Sequence, residues 1–259
     1  MRIALGVEYD GSDFAGWESQ PDQRTVQSTL EAALSSVADT PVRTVCAGRT
    51  DAGVHALAQV IHFDSPVERA PHAWVLGANS NLPGDVSVRW AKPVSEDFHA
   101  RYSAIRRYYR YLIQNRRERP ALLRRRAAWE RAPLDTERMQ AACEHLLGEH
   151  DFSSFRAAGC QAKSPVRTVM SLQVSRRGSL VFIDIAANAF LQHMVRNVAG
   201  VLVEIGTGKR EPEWARELLA ERDRTLGAVT APPEGLYLSR IDYPAQYALP
   251  AVSPEWLLW

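Results

Sequence analysis

Several things are scarce in this chain, and each scarcity excludes something. Only three of its 259 residues are cysteine (Cys46, Cys143 and Cys160), an odd number at wide spacing. That argues against a disulfide framework and for a reducing compartment, each thiol being a small core or loop residue. No apolar run approaches the roughly 20 residues of a membrane span. The first residues, Met1 to Tyr9, lack the layout of a signal peptide and read as a strand, so the expected location is cytoplasmic. Seven histidines stand at no ligand spacing with cysteines or acids, so no metal site is expected. Lysine occurs only at Lys92, Lys163 and Lys209, which leaves arginine to carry the positive charge.

What is present is unevenly spread. The net charge is only +1, yet residues 101–131 hold eleven arginines against two acids, Glu118 and Glu130. That is a local +9, which leaves −8 for the remainder. Aromatic residues interleave the cluster, as in Arg106-Arg107-Tyr108-Tyr109-Arg110-Tyr111. Guanidinium groups bind phosphates, and both residue types stack on bases. A nucleic-acid surface is therefore favoured over a merely solvated arginine-rich face. Arg106, Arg107, Arg124, Arg125 and Arg126 are the candidates for contact with an RNA backbone.

Hydrophobic periodicity divides the chain into two α+β halves, 1–104 and 105–259. In the first half, strands are expected at Ile3–Glu8, Val42–Cys46, Leu57–Phe63 and Val86–Trp90. Helices are expected from Thr25 to Ala38 and near Pro71–Ala78. The second half opens with a strand from Ile105 to Gln114, with Tyr109, Tyr111 and Ile113 on one face. An arginine-rich loop or short helix over 120–133 and an amphipathic helix around Met139–Leu147 follow. Asp151 to Pro165 reads as a long loop. Strands at Thr168–Arg176 and Leu180–Ala187 precede a helix from Phe190 to Ile205. That helix is closed by Gly206 and Gly208, which read as a C-cap and not as a phosphate loop. A short helix at Glu213–Ala220 and a strand at Leu236–Ile241 end the pattern.

The most informative segment is Ala47-Gly48-Arg49-Thr50-Asp51-Ala52-Gly53-Val54-His55-Ala56. An acid lies between two glycines, with an arginine two positions before it and a predicted strand on either side. Gly48 and Gly53 can take backbone angles that a Cβ forbids and can let a ligand come close. Asp51 is therefore expected on a tight connection at the end of a strand, a good place for a reactive carboxylate. Asp-Ala-Gly alone would read as ordinary turn chemistry.

The longer stretch Gly48 to Ala56 closely resembles the signature of the tRNA pseudouridine synthase A family. Tyr9-Asp10-Gly11-Ser12-Asp13-Phe14-Ala15-Gly16-Trp17 resembles its first loop. Phe98–Ala104 is similar to the segment joining its halves. Asp151–Phe155, Ser164–Thr168, Asn188–Asn197 and Pro233–Leu238 resemble later segments in the right order. Glu18 departs from the pattern, which more often has Gln after the tryptophan. The resemblance implies the pseudouridine synthase fold, two similar α/β-sandwich halves around a central mixed, mainly antiparallel sheet. It also implies a homodimer without cofactor or metal. Its reaction would be isomerisation of uridine to pseudouridine at positions 38, 39 and 40 in the anticodon stem-loop of tRNA.

That reaction breaks the N1–C1′ bond, turns the base and joins C5 to C1′. A carboxylate can attack C1′, attack C6 or stabilise charge at C1′, and the residues leave all three open. The family's nucleophile maps to Asp51. Its pattern places Arg196 as the positive partner of that carboxylate and Tyr109 as the ring that stacks on the target base. Leu236 maps to the apolar wall of the pocket, and Arg49 to the group that holds the flipped-out nucleotide or fills its vacated space. Asp10 and Asp13 read as loop structure. A non-catalytic RNA-binding or chaperone protein is the alternative. A nucleotide-sugar hydrolase would want a second paired carboxylate.

Overall fold

The computed structural model describes residues 1–250. Strand β1 spans Arg2–Tyr9, and helix α1 Val26–Ala38 follows. Next come β2 Val45–Cys46, β3 His55–Asp64, α2 Pro71–Asn81, β4 Val86–Val94 and β5 Arg106–Asn115. A short strand β6 Ala128–Glu130 leads to α3 Thr136–Glu144, β7 Gly148–Asp151, β8 Val166–Arg177 and β9 Leu180–Ala187. Helices α4 Met194–Gly206 and α5 Trp214–Glu221 and strand β10 Leu236–Asp242 complete the α+β order.

Two compact units divide the chain. The first joins residues 1–107 to the returning segment from Tyr237, and the second is Tyr108–Leu236. In the first unit the strand order is β4-β1-β3-β10. β1 runs antiparallel to β3 and β4, whereas β10 runs parallel to β3, with Tyr237 opposite His55. Ile3, Leu5, Val7, Ile61 and Phe63 are buried, and Trp74 of α2 meets Phe63 edge-on at 5.0 Å. A second cluster, Ala4, Ala47, Val60, Phe98 and Ala100, ties the segment before Asp51 to the sheet. In the second unit the order is β5-β9-β8-β7, with β6 parallel to β5.

Where local structure departs from the periodicity, a side chain has taken over the backbone. Val42–Cys46 is strand only at Val45–Cys46. The Glu31 carboxylate accepts from Thr44 N–H at 2.8 Å, Gln27 donates to Thr44 O, and Ser35 Oγ accepts from Val42 N–H. α1 thus satisfies backbone groups that a ladder would use. Thr25 caps α1 from outside, its hydroxyl accepting from Ser28 N–H. The helix expected from Phe190 begins only at Met194, after His193 at φ 63°. Before it, the Asn188 carboxamide oxygen accepts from Thr168 and Ala189 N–H and holds the chain in a turn. The expected long loop after Asp151 is in place, but Gly148–Asp151, not foreseen as structure, pairs with β8 as an edge strand. The 120–133 stretch is a turn that ends in β6.

Candidate active site

Asp51 sits in the connection between β2 and β3, half-buried, with Arg49 exposed beside it. Strand pairing ends here: Val45 and Cys46 pair with His62 and Ile61, and the last rung is Ala47 N–H on Val60 O at 2.8 Å. Beyond that rung the loop is fastened by other means. The Arg107 guanidinium donates twice to Ala47 O, at 3.1 and 3.0 Å, and once to Arg101 O at 2.6 Å. The Gln59 carboxamide donates to Gly48 O at 2.6 Å and accepts from Gly48 N–H at 3.4 Å. The Tyr9 and Thr50 hydroxyls bond at 2.8 Å. Trp17 N–H donates to Thr50 O, Gly53 N–H to Phe14 O, and Val54 N–H closes the turn on Asp51 O. Gly53 takes φ 77°, as the turn requires.

The loop resembling the family's first segment lies directly on this backbone. A Cβ on Gly11 would stand 1.9 Å from Val54 O. One on Gly16, which has φ 101°, would stand 2.9 Å from Thr50 O and 3.2 Å from the Asp51 carbonyl carbon. Two backbones therefore meet without side chains between them, and Asp51 is held from both sides. Asp10 serves loop structure, its carboxylate accepting from Ser12 N–H and Oγ. Gly11 N–H donates to His55 Nδ1, and the His55 ring stacks on Tyr237 at 4.7 Å.

Glu18 has a partner in the arginine of the motif. Its carboxylate takes Arg49 Nε at 2.6 Å and Nη2 at 3.0 Å, with both side chains about half exposed. The departure at position 18 thus gives Arg49 an internal anion to hold.

The remaining candidates lie in the second unit, apart from Arg106 and Arg107. Tyr109 is buried on β5, edge-on to Phe190 at 5.0 Å. Arg196, on the first turn of α4, is half-buried and donates through Nε to Ala231 O at 2.8 Å. Leu236 is buried at the start of β10. Arg124 and Arg126 are exposed in the turn before β6, with Arg125 half-buried between them. Arg106 is half-buried at the start of β5. Arg107 does not fit the expected RNA-backbone role. It is 8% exposed, and its guanidinium serves the carbonyls of Ala47 and Arg101. Burial pushes the Cys46 and Cys143 thiols up to about 12, which keeps both protonated core groups. Among the described residues no three His, Cys, Asp or Glu side chains gather as a metal site, and no helix is long and apolar enough to cross a membrane.

Sequence reasoning passed over Gln59 and misread Arg107. The signal for Gln59 was visible: an amide inside the apolar run Leu57–Phe63, where a buried polar group needs partners.

A family model described as tRNA pseudouridine synthase matches residues 6–103 and 142–244. The chain belongs to the tRNA pseudouridine synthase family. The match takes in the Asp51 loop, the Gly11–Gly16 loop above it, Arg196 and Leu236. Curated relatives span the full length. The tRNA pseudouridine synthase A of Nitrosococcus oceani is 59% identical over 259 residues, covering 100% of both chains. That of Methylococcus capsulatus is 59% identical over 96% of this chain and 92% of its own. That of Klebsiella pneumoniae is 55% identical over 97% and 93%.

Proposed function

We propose that this protein is a tRNA pseudouridine synthase, an isomerase that acts on uridines 38, 39 and 40 of the anticodon stem-loop with Asp51 as nucleophile. The observation that carries the reading is a carboxylate on a loop fastened at nearly every peptide group, inside the family's matched segment. A fixed backbone gives a nucleophile a set direction, and positioning supplies much of an enzyme's rate. The base must leave the stem at a cost of a few kcal/mol before any such group can reach it. Tyr109, Leu236 and Arg196 keep the roles the resemblance implies: a ring under the base, an apolar wall and a counter-charge. Arg49 exchanges Glu18 for the nucleotide when RNA binds. Arg106, Arg124, Arg125 and Arg126 serve the RNA backbone, and the working form is a cytoplasmic homodimer.

The bond changes balance without a donor or oxidant. N1–C1′ breaks, the base rotates, C5–C1′ forms, the C5 proton leaves to solvent and N1 takes one up. The test follows that proton. Wild type should release tritium from tRNA labelled at uracil C5, and Asp51→Asn should bind the same tRNA and release none. Turnover by the variant would remove Asp51 as nucleophile. Binding without release by the wild type would favour the chaperone reading, and free uracil would point to a hydrolase.

A further inference from the structure

We propose that Gln59 is a positioning residue for the isomerisation, resting on the reading of Asp51 as nucleophile. The β2–β3 ladder runs through Cys46 and ends at Ala47 N–H on Val60 O. One residue further on, Gly48 has a peptide N–H and C=O with no strand rung to take them. Gln59, next to Val60 on β3 and 0% exposed, presents its side chain there instead. Its Nε2 donates to Gly48 O at 2.6 Å, and its Oε1 accepts from Gly48 N–H at 3.4 Å. The amide orientation follows from the partners, because Gly48 O only accepts and Gly48 N–H only donates. The carboxamide is thus a side-chain copy of a peptide unit, and it extends the ladder by one rung.

The same Nε2 lies 3.4 Å from Tyr9 OH, which is bonded to Thr50 Oγ1 at 2.8 Å. Tyr9 and Thr50 are 3% and 7% exposed, so this chain of bonds is shielded from water. It therefore reaches both residues that flank Arg49. Gly48 and Thr50 are held to the sheet, and Arg49 and Asp51 leave the backbone at set angles. An apolar residue at 59 would still fill the space. It would leave Gly48 O without its amide donor, and the loop would relax to find another.

The conservative replacement gives this role a signature of its own. A glutamate at 59 has the shape of the glutamine but can donate to Gly48 O only when protonated. Burial among carbonyls raises its pKa. We expect Gln59→Leu to bind tRNA within about threefold of wild type and to lose about 100-fold in kcat, read as tritium release at saturating tRNA. Gln59→Glu should lose as much at pH 8.5 and recover most of it, relative to wild type, at pH 6. Near-unchanged near-UV circular dichroism should accompany both. Wild-type kcat in Gln59→Leu, equal losses in binding and kcat, or a pH-independent Gln59→Glu ratio would each overturn the proposal. If Gln59→Leu does not fold, the Gln59→Glu pH profile decides. Asp51→Asn is run alongside. Turnover by it sinks the nucleophile reading, whereas a dead Asp51→Asn with a fully active Gln59→Leu sinks only the role of Gln59.

Discussion

Two loops at strand ends hold most of the residues proposed above to act on RNA, and they are built in opposite ways. The connection at 47–54 is short on charge and rich in fastenings: Arg107, Gln59, Tyr9, Trp17 and Phe14 all hold its backbone or the side chain of Thr50. The turn at 116–126 is rich in charge. Arg116, Arg117, Arg119, Arg124 and Arg126 are exposed, and Leu122 beside them is 96% exposed. The nucleophile proposed at Asp51 must meet one atom at one angle, and a loop fixed by hydrogen bonds gives it that direction. A polyanion offers charge at many places, so a surface that grips it needs reach and number more than fixity.

The sharpest way to break the comparison is to force the fixed loop apart. Gly11→Ala puts a methyl group 1.9 Å from Val54 O, which only a backbone shift can relieve. The expected cost is roughly 3 kcal/mol of stability, the upper end for overpacking, with a kcat loss above 100-fold. Thermal unfolding and tritium release would measure both. A variant as stable and active as wild type would mean that the loop is not clamped.

Acid should loosen the frame of the first loop and leave the charge of the second alone. His62 is buried on β3 opposite Val45 of β2, its Nδ1 accepting from Ala100 N–H. Burial, and then the positive charges of Arg2 and His99, lower its pKa from 6.5 to about 4, with Asp64 opposing them. Between those values the unfolded chain binds a proton that the folded chain refuses. The contribution of His62 is therefore intact above pH 6.5 and is lost as pH falls toward 4, at up to about 1.4 kcal/mol per unit. Melting temperature against pH should show this slope. His62→Asn, whose Oδ1 stands where Nδ1 does and can accept from Ala100 N–H, should flatten it.

Changing Arg124, Arg125 and Arg126 together to Gln should do the reverse of Gly11→Ala. Affinity for tRNA should fall about tenfold at low salt and the salt slope should drop by about 2, with kcat at saturation and melting temperature held. An unchanged slope would put the RNA path elsewhere. The smallest effect belongs to Glu18→Gln. An exposed ion pair is worth under about 1 kcal/mol, so releasing Arg49 should tighten tRNA binding about two- to threefold. Weaker binding would show that Glu18 orders Arg49 for the RNA and does not compete with it.

Much of this was legible from residue order. Apolar stretches located β1 and β3, alternation located β5, Thr25 announced the start of α1, and the Leu180–Ala187 strand stands where periodicity put it. The Asp51 loop was legible too, because glycines, an acid and flanking strands are local facts. What escaped was decided by partners distant in sequence. Glu31 took Thr44 N–H from a strand, Arg107 turned inward to Ala47 O across 60 residues, and Gln59 replaced a missing rung.

The order of residues by itself determined the elements, the arginine excess and the motif that carries the carboxylate, since each depends on neighbours within a few positions. Only the tertiary structure decided which polar groups stay exposed and which hold the backbone of the Asp51 loop. A buried arginine or glutamine has the same chemistry in either duty, and what assigns it is the carbonyl that the fold brings within hydrogen-bond reach. The return of β10 to lie parallel to β3, with Tyr237 opposite His55, is of the same kind: no local signal marks it, and backbone pairing alone makes it.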